Sequence, residues 1–244
     1  MLTLVLLPGL DGTATLFEPL LPYLPPHVRI CPIHYPPEQT LGYSALVALV
    51  KQALPRHGPY VVLGESFSGP VAIQLAAQAD QHMVGLILCC SFACSPRPSL
   101  IGLRPLIGLT PIRWLPSRLL AMLLYGRGAH VQLRKLLEKA LAQVAQRVLQ
   151  HRLQAVLDVD VLPDWQRIAL PVCYLQATHD LLIPASQVSL LKTMLPSMQV
   201  SPLAGPHGLL QASPVAAAIA IRHFLSTLES RSVIDDCDQQ VSPA

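Results

Sequence analysis

The sequence predicts an α/β domain: a mostly parallel sheet of about six strands, flanked by helices and carrying one inserted helical cap. Three observations predict it. Short apolar runs bounded by turn residues recur at 2–7, 28–35, 60–64, 84–90, 172–177 and 198–203, several of them rich in Val and Ile. They lack clean alternation, as strands do when helices cover both faces of a parallel sheet. Helical patterns at 42–54, 69–79, 131–157 and 185–195 lie between these runs, and another at 214–228 follows the last. Strand–helix alternation implies right-handed crossovers between parallel neighbours. The alternation stops in one place only, residues 95–168, which reads as the insertion.

The first run opens the chain as "MLTLVLLPG", which has the look of a signal-peptide core. It lacks a basic leading segment and a small-residue cleavage site, and it runs straight into a turn, so a buried strand fits. The second run, "VRICPIHY", contains Pro32, which cannot donate to a sheet ladder and therefore belongs on an edge strand. The run at 84–90 ends on Cys89 and Cys90, where the insertion begins.

Within the insertion, "LIGLRPLIGLTPIRWLPSRLLAMLLYG" is the most lipid-like stretch. Its apolar pieces fall short of the ~20 residues a bilayer span requires. Arg104, Pro105, Pro111, Arg113, Pro116 and Arg118 break it repeatedly, so no transmembrane helix is expected. "VQLRKLLEKALAQVAQRVLQHRLQAVL" follows as a long amphipathic helix or a pair. After the sixth run, Ser213 and Pro214 supply a cap and a first helical residue. The chain therefore divides into core at 1–94, a helical cap at 95–168, core again at 169–230, and a polar, aperiodic tail at 231–244 expected to be flexible.

Composition removes several functions. Hydrophobic residues make up 52% and charged residues 13%, which suits a large core and not a disordered chain. The net charge of +3 comes from scattered Arg and Lys, without the basic stripe that nucleic-acid binding needs. The six cysteines form neither a C-x-x-C pair nor a Cys/His metal spacing, and are read as reduced thiols in a cytoplasmic protein.

The chemistry is concentrated at "VVLGESFSGPVAI", residues 61–73. A serine hydroxyl becomes a nucleophile only when a base takes its proton and the substrate can reach it. A tight strand-to-helix turn lifts Ser66 above the sheet, and small residues at Gly64 and Ser68 avoid collisions there. Gly69 lets the helix approach the sheet, and Pro70 falls in the first helical turn, where its missing N–H costs little. This is a G-x-S-x-G nucleophile elbow with serine in place of the second glycine.

These residues resemble the α/β-hydrolase superfamily, and the resemblance extends from "LLPGLDGT" near the start to "GPHGLLQASP" near residue 214. The pair "PGLDGT" and "GESFSG" is most similar to small esterase or thioesterase-like members, and also to phytyl-ester and diacylglycerol acyltransferase-type enzymes. The superfamily's full sheet has eight strands. The resemblance implies a minimal core lacking the first two, which leaves the Pro32 strand outermost. It also implies a triad in the order Ser…Asp…His. "PVCYLQATHDLLIP" is a strand ending in Asp180, and "SPLAGPHGLLQASP" is a strand leading to His207. Ser66 is then the nucleophile, His207 the base, and Asp180 the acid that holds the imidazole tautomer. Backbone N–H groups of Phe67 and Leu10 complete an oxyanion hole. Many relatives carry His-Gly where this chain has Pro8-Gly9, so this loop departs from their pattern.

Other residues have ordinary roles. Asp158, Asp160 and Asp164 are rival acids, read as hinge or helix-capping residues. Asp11 is read as a cap for the next helix, with aiming of the oxyanion loop a secondary role. His34, Tyr35 and His57 are read as surface or turn residues, and His179 as a solvent or pocket residue. Leu103, Leu106 and Trp114 in the cap are candidates for lining an acyl-chain pocket. The sequence reading is hydrolysis of a small-molecule carboxylic ester or thioester, with no cofactor and no metal. Acyl transfer to another acceptor, and ligand binding without catalysis, are the alternatives.

Overall fold

The computed structural model describes residues 1–107, 112, 115–126 and 129–240, and the side chains of these except 103 and 231–240. Six strands form one sheet: β1 (Thr3–Leu7), β2 (Arg29–Pro32), β3 (Tyr60–Glu65), β4 (Met83–Cys89), β5 (Val172–Ala177) and β6 (Gln199–Leu203). Their order is β2-β1-β3-β4-β5-β6, and every neighbouring pair is parallel. Pro32 therefore sits on an outer strand, paired only with Leu6 of β1, as its missing donor requires. The other edge, β6, carries Pro202.

Side chains alternate between two apolar layers because successive residues of a strand face opposite ways. Val5 and Leu7, Val62, Leu86 and Leu88, and Tyr174 face one layer, which packs on α1 (Tyr43–Ala53), α2 (Gly69–Ala76) and α8 (Ala185–Met194). Leu4 and Leu6, Leu63, Ile87 and Leu175 face the other layer, packed on α10 (Pro214–Gln240) through Ala217, Ile221, Phe224 and Leu228. Each inner strand is buried on both faces, which is why none of them alternates in sequence. The helical backbone of α10 continues to Gln240, well into the segment read as a tail, and 241–244 lie outside the described residues.

The insertion contains α3 (Arg104–Ile107), α4 (Ser117–Tyr125), α5 (Val131–Ala142) and α6 (Gln146–Asp158). The long amphipathic stretch is thus a pair of helices. The break between them is tied to the core, where the Ala145 N–H donates to the Pro37 carbonyl at 3.0 Å. The neck is closed by two backbone bonds, Val161 N–H to Ala93 carbonyl at 2.7 Å and Ser95 N–H to Val159 carbonyl at 3.0 Å. Past the neck, α7 (Leu162–Trp165) returns to the core, where Val161, Trp165 and Ile168 are buried. A short helix, α9 (Leu209–Ala212), precedes α10. Among the described residues no helix is long and apolar enough to cross a membrane. Cys31, Cys89, Cys90, Cys94 and Cys173 are free thiols.

Phe224 is 1% exposed and anchors α10 to the sheet. Phe224→Ala should lower unfolding free energy by about 3–5 kcal/mol through lost burial and a residual cavity. A urea titration at constant m-value checks this, and a loss below about 1 kcal/mol would mean that the site collapses around the smaller side chain.

Candidate active site

The carboxyl ends of the strands bring together segments that are far apart in sequence, as open α/β sheets do. Ser66 follows β3 immediately and adopts φ 47°, a left-handed conformation that only glycine takes without strain. Such a residue costs of order 1–3 kcal/mol and persists only where its surroundings enforce it. Here the enforcing contacts are specific. A Cβ on Gly64 would lie 2.8 Å from the Ala72 Cβ and 2.9 Å from the Ser68 carbonyl oxygen. A Cβ on Gly69 would lie 1.7 Å from the Ser91 Oγ. The buried Ser91 hydroxyl in turn donates to the Ser66 carbonyl at 2.6 Å. Ser91 is held by Tyr174, whose hydroxyl donates to the Ser91 carbonyl at 2.6 Å and accepts from the Ser91 N–H at 2.9 Å.

Ser66, Asp180 and His207 form one hydrogen-bonded line. Ser66 Oγ lies 2.8 Å from His207 Nε2, and His207 Nδ1 lies 2.8 Å from Asp180 Oδ2 and 3.0 Å from Oδ1. The Asp180 carboxylate also accepts the Leu182 and Ile183 N–H groups, each at 2.8 Å, so it caps the following turn while facing the imidazole. Three donors fix its position. The His207 and Asp180 side chains are only 6% and 7% exposed, whereas Ser66 is partly open to solvent.

The rival acids lie elsewhere. Asp158 pairs with Arg104 at 2.8 Å, Asp160 accepts the Leu162 N–H at 3.0 Å at the start of α7, and Asp164 faces Arg167. His34, His57 and His179 are exposed. Tyr35 corrects the sequence reading: it is buried, and its hydroxyl is 2.7 Å from Ser68 Oγ. Ser68 donates to the Pro8 carbonyl, so the serine that replaces the second motif glycine tethers the loop after β1. Asp11 is also one step removed from its expected role. Its carboxylate accepts from the Thr13 N–H at 2.8 Å and the Thr13 hydroxyl at 2.6 Å, while Thr13 itself caps the turn at 14–17.

Sequence reading missed Ser91, Tyr35 and Arg152, whose roles depend on chain crossings that no local motif reports. Arg152 did carry a signal, since it occupies an apolar position of α6 beside Val148 and Leu149. Leu103 and Trp114, candidates for an acyl-chain pocket, have side chains outside the described residues, and Leu106 is exposed. A cleft of about 350 Å³ is lined by Tyr125, Leu181, Ala212 and Pro206, the residue that precedes His207 in the chain, among others.

One cluster has the makings of a metal-ligand set: Cys90 Sγ, an Asp180 oxygen and a His207 ring nitrogen all lie within 4.8 Å of one another. Both His207 nitrogens are already hydrogen-bonded, so an ion there would have to displace Ser66 or Asp180.

No family model and no curated protein sequence matches the chain. Solved structures match over nearly its whole length. An enol-lactonase from Burkholderia xenovorans LB400 superposes with a TM-score of 0.80 at 16% identity, covering 92% of this chain and 91% of that one. A bromoperoxidase from Bacillus anthracis gives 0.80 at 14% identity, covering 92% and 91%. An esterase from Exiguobacterium antarcticum gives 0.78 at 11% identity, covering 94% and 92%. The chain has the α/β-hydrolase fold.

The residue before Ser66 is a buried carboxyl. Burial pushes Glu65 up from 4.5 to about 8, against the lowering effect of the Gln211 amide, which donates to Oε1 at 2.8 Å. Oε2 has no protein partner among the described residues. The folded protein thus binds a proton that the unfolded chain releases above about 4.5, so this group's stabilisation is full below that pH and is lost as pH rises to about 8. Glu65→Gln keeps an acceptor for Gln211 and should flatten this loss. Melting temperatures across that pH window should fall more steeply for the wild type, and parallel profiles would place the proton elsewhere.

Proposed function

We propose that the protein is a serine hydrolase that cleaves a carboxylic ester or thioester through an acyl-enzyme on Ser66. The observation that carries this reading is the unbroken line from Ser66 Oγ through both His207 nitrogens to Asp180. With Asp180 accepting at Nδ1, the neutral imidazole keeps its proton on that side and leaves Nε2 free to accept from Ser66. Ser66 attacks the substrate carbonyl as His207 takes its proton. His207 then returns the proton to the departing alcohol or thiol, and the acyl group stays on Ser66. Water, deprotonated by His207, attacks the acyl-enzyme, and His207 returns that proton to Ser66 Oγ as the acid leaves.

The amides of Leu10 and Phe67 are the proposed oxyanion donors. Backbone donors held in place before reaction stabilise the tetrahedral intermediate without reorganising. The geometry at Leu10 supports this role. The Gly9 carbonyl accepts the Gly12 N–H at 3.0 Å, and in a trans peptide this turns the Leu10 N–H to the opposite side. Phe67 is clamped by its ring, stacked on Tyr43 at 5.0 Å and edge-on to Tyr35 at 6.4 Å. The mostly apolar cleft at Tyr125, Leu181 and Pro206 is the proposed place for the substrate's hydrocarbon part, Pro206 being the residue before the proposed base. The neighbouring folds include proteins described as an enol-lactonase and an esterase, which agrees with acyl chemistry.

A fluorophosphonate should label the wild type at Ser66, and Ser66→Ala should abolish both labelling and ester hydrolysis while leaving the protein folded. Labelling at another serine would overturn the assignment. Asp180→Asn should lower kcat on the order of 10⁴-fold by favouring the wrong histidine tautomer.

A further inference from the structure

The loop after β1 is held at every carbonyl from Pro8 to Gly12. Pro8 accepts from the Ser68 hydroxyl, and Gly9 from the Gly12 N–H at 3.0 Å. Leu10 and Asp11 accept from Arg152 Nη1 at 3.0 and 2.7 Å, and Gly12 accepts from the Tyr35 N–H at 2.8 Å. All these donors belong to the core except Arg152, which comes from α6 of the insertion. Its guanidinium is buried, with the whole residue 2% exposed, and Nη2 donates onward to the Pro36 carbonyl at 3.3 Å. Its Cζ lies 5.5 Å over the Tyr35 ring, whose hydroxyl bonds Ser68.

Two features show that the loop is shaped around this side chain. Gly12 has φ 71°, and a Cβ there would come within 2.2 Å of Arg152 Nη1. A buried guanidinium is expensive unless its donors are satisfied. Burial lowers the Arg152 pKa while the nearby Asp11 charge opposes that shift, and its hydrogen bonds go to the backbone carbonyls of Leu10, Asp11 and Pro36. An aliphatic residue at this face of α6 would pack against Tyr35 at less cost. A structural cross-link also has no need to meet the two peptides that directly follow the proposed oxyanion donor.

We infer that Arg152 is a positioning residue through which the cap sets the aim of the Leu10 N–H at the developing oxyanion. This rests on the serine-hydrolase reading above. Fixing the Leu10 and Asp11 carbonyls fixes the peptide planes on the far side of Leu10, as the Gly9 bond fixes the near side. Arg152 touches no reacting atom. It acts through the loop, and displacement of α6 therefore reaches the site without any contact to substrate.

Arg152→Lys keeps a charge but cannot reach three carbonyls with one ammonium in the same plane, and Arg152→Gln keeps donors without the charge. In the full chain, both should lower kcat by about tenfold to a hundredfold, the range expected for a small misplacement of a catalytic donor. KM should stay within about threefold. The inhibition constant of a trifluoromethyl ketone, which forms a tetrahedral oxyanion on serine, should weaken by the same factor as kcat. The lysine variant should retain more activity than the glutamine. Folded variants with kcat and ketone affinity within twofold of wild type would overturn the inference, leaving Arg152 a packing residue. Failure of both variants to fold would overturn it as well, because the side chain would then hold the fold and not the loop alone. Wild type that is not labelled at Ser66 would instead overturn the hydrolase reading itself, so the two failures are distinguishable.

Discussion

The left-handed backbone at Ser66 is the constraint around which this end of the molecule is organised. A non-glycine residue with φ 47° is unfavourable by itself, so its neighbours must make every alternative worse. Gly64 and Gly69 give up their side chains to allow the turn, and the Ser91 hydroxyl fills the space that Gly69 vacates while bonding the Ser66 carbonyl. Ser91 depends on Tyr174 of β5, so two strands beyond β3 contribute to one corner. The reward is a serine side chain projecting from the sheet's edge toward His207.

The same corner reaches the opposite way across the sheet. Ser68, the departure from the glycine of the motif, joins the elbow to Pro8 at the end of β1, and Tyr35 beyond β2 completes that junction. A second glycine would have left the Pro8 carbonyl without this donor. The sequence difference is therefore a substitution of one holding mechanism for another. Asp11 and Glu65, two buried carboxyls near this loop, are both shifted upward by burial, with Thr13 and Gln211 as their respective hydrogen-bond donors. Each of these buried carboxyls is thus hydrogen-bonded within the protein, and the guanidinium of Arg152 is buried near Asp11.

Much of the framework was legible in advance because it depends on local pattern. Apolar runs without alternation marked the inner strands, and Pro32 marked an edge through its missing N–H. Asp180 was readable as either a cap or a partner for histidine, and the structure makes it both, since one carboxylate has enough lone pairs for the two backbone donors and the imidazole. Tyr35 was misread as a turn residue because its burial comes from Arg152 and Ser68, more than thirty residues away in sequence. The length of α10 was also underestimated. Its polar end lacks the apolar period that betrays a packed helix, yet helical backbone bonds do not require one.

By itself the sequence determined the strand and helix order, the elbow and its small neighbours, and singled out Ser66, Asp180 and His207, which the fold brings together. Each follows from side-chain size, periodicity or position relative to a strand end, which are properties of short segments. Tertiary structure alone decided that Ser66, Asp180 and His207 share one line at 2.8 Å spacings, and that Ser91, Ser68 and Arg152 serve the same corner. Those contacts join residues separated by as many as 142 positions. Their geometry is set by the parallel stacking of strands and the docking of the insertion, and no single segment carries that information.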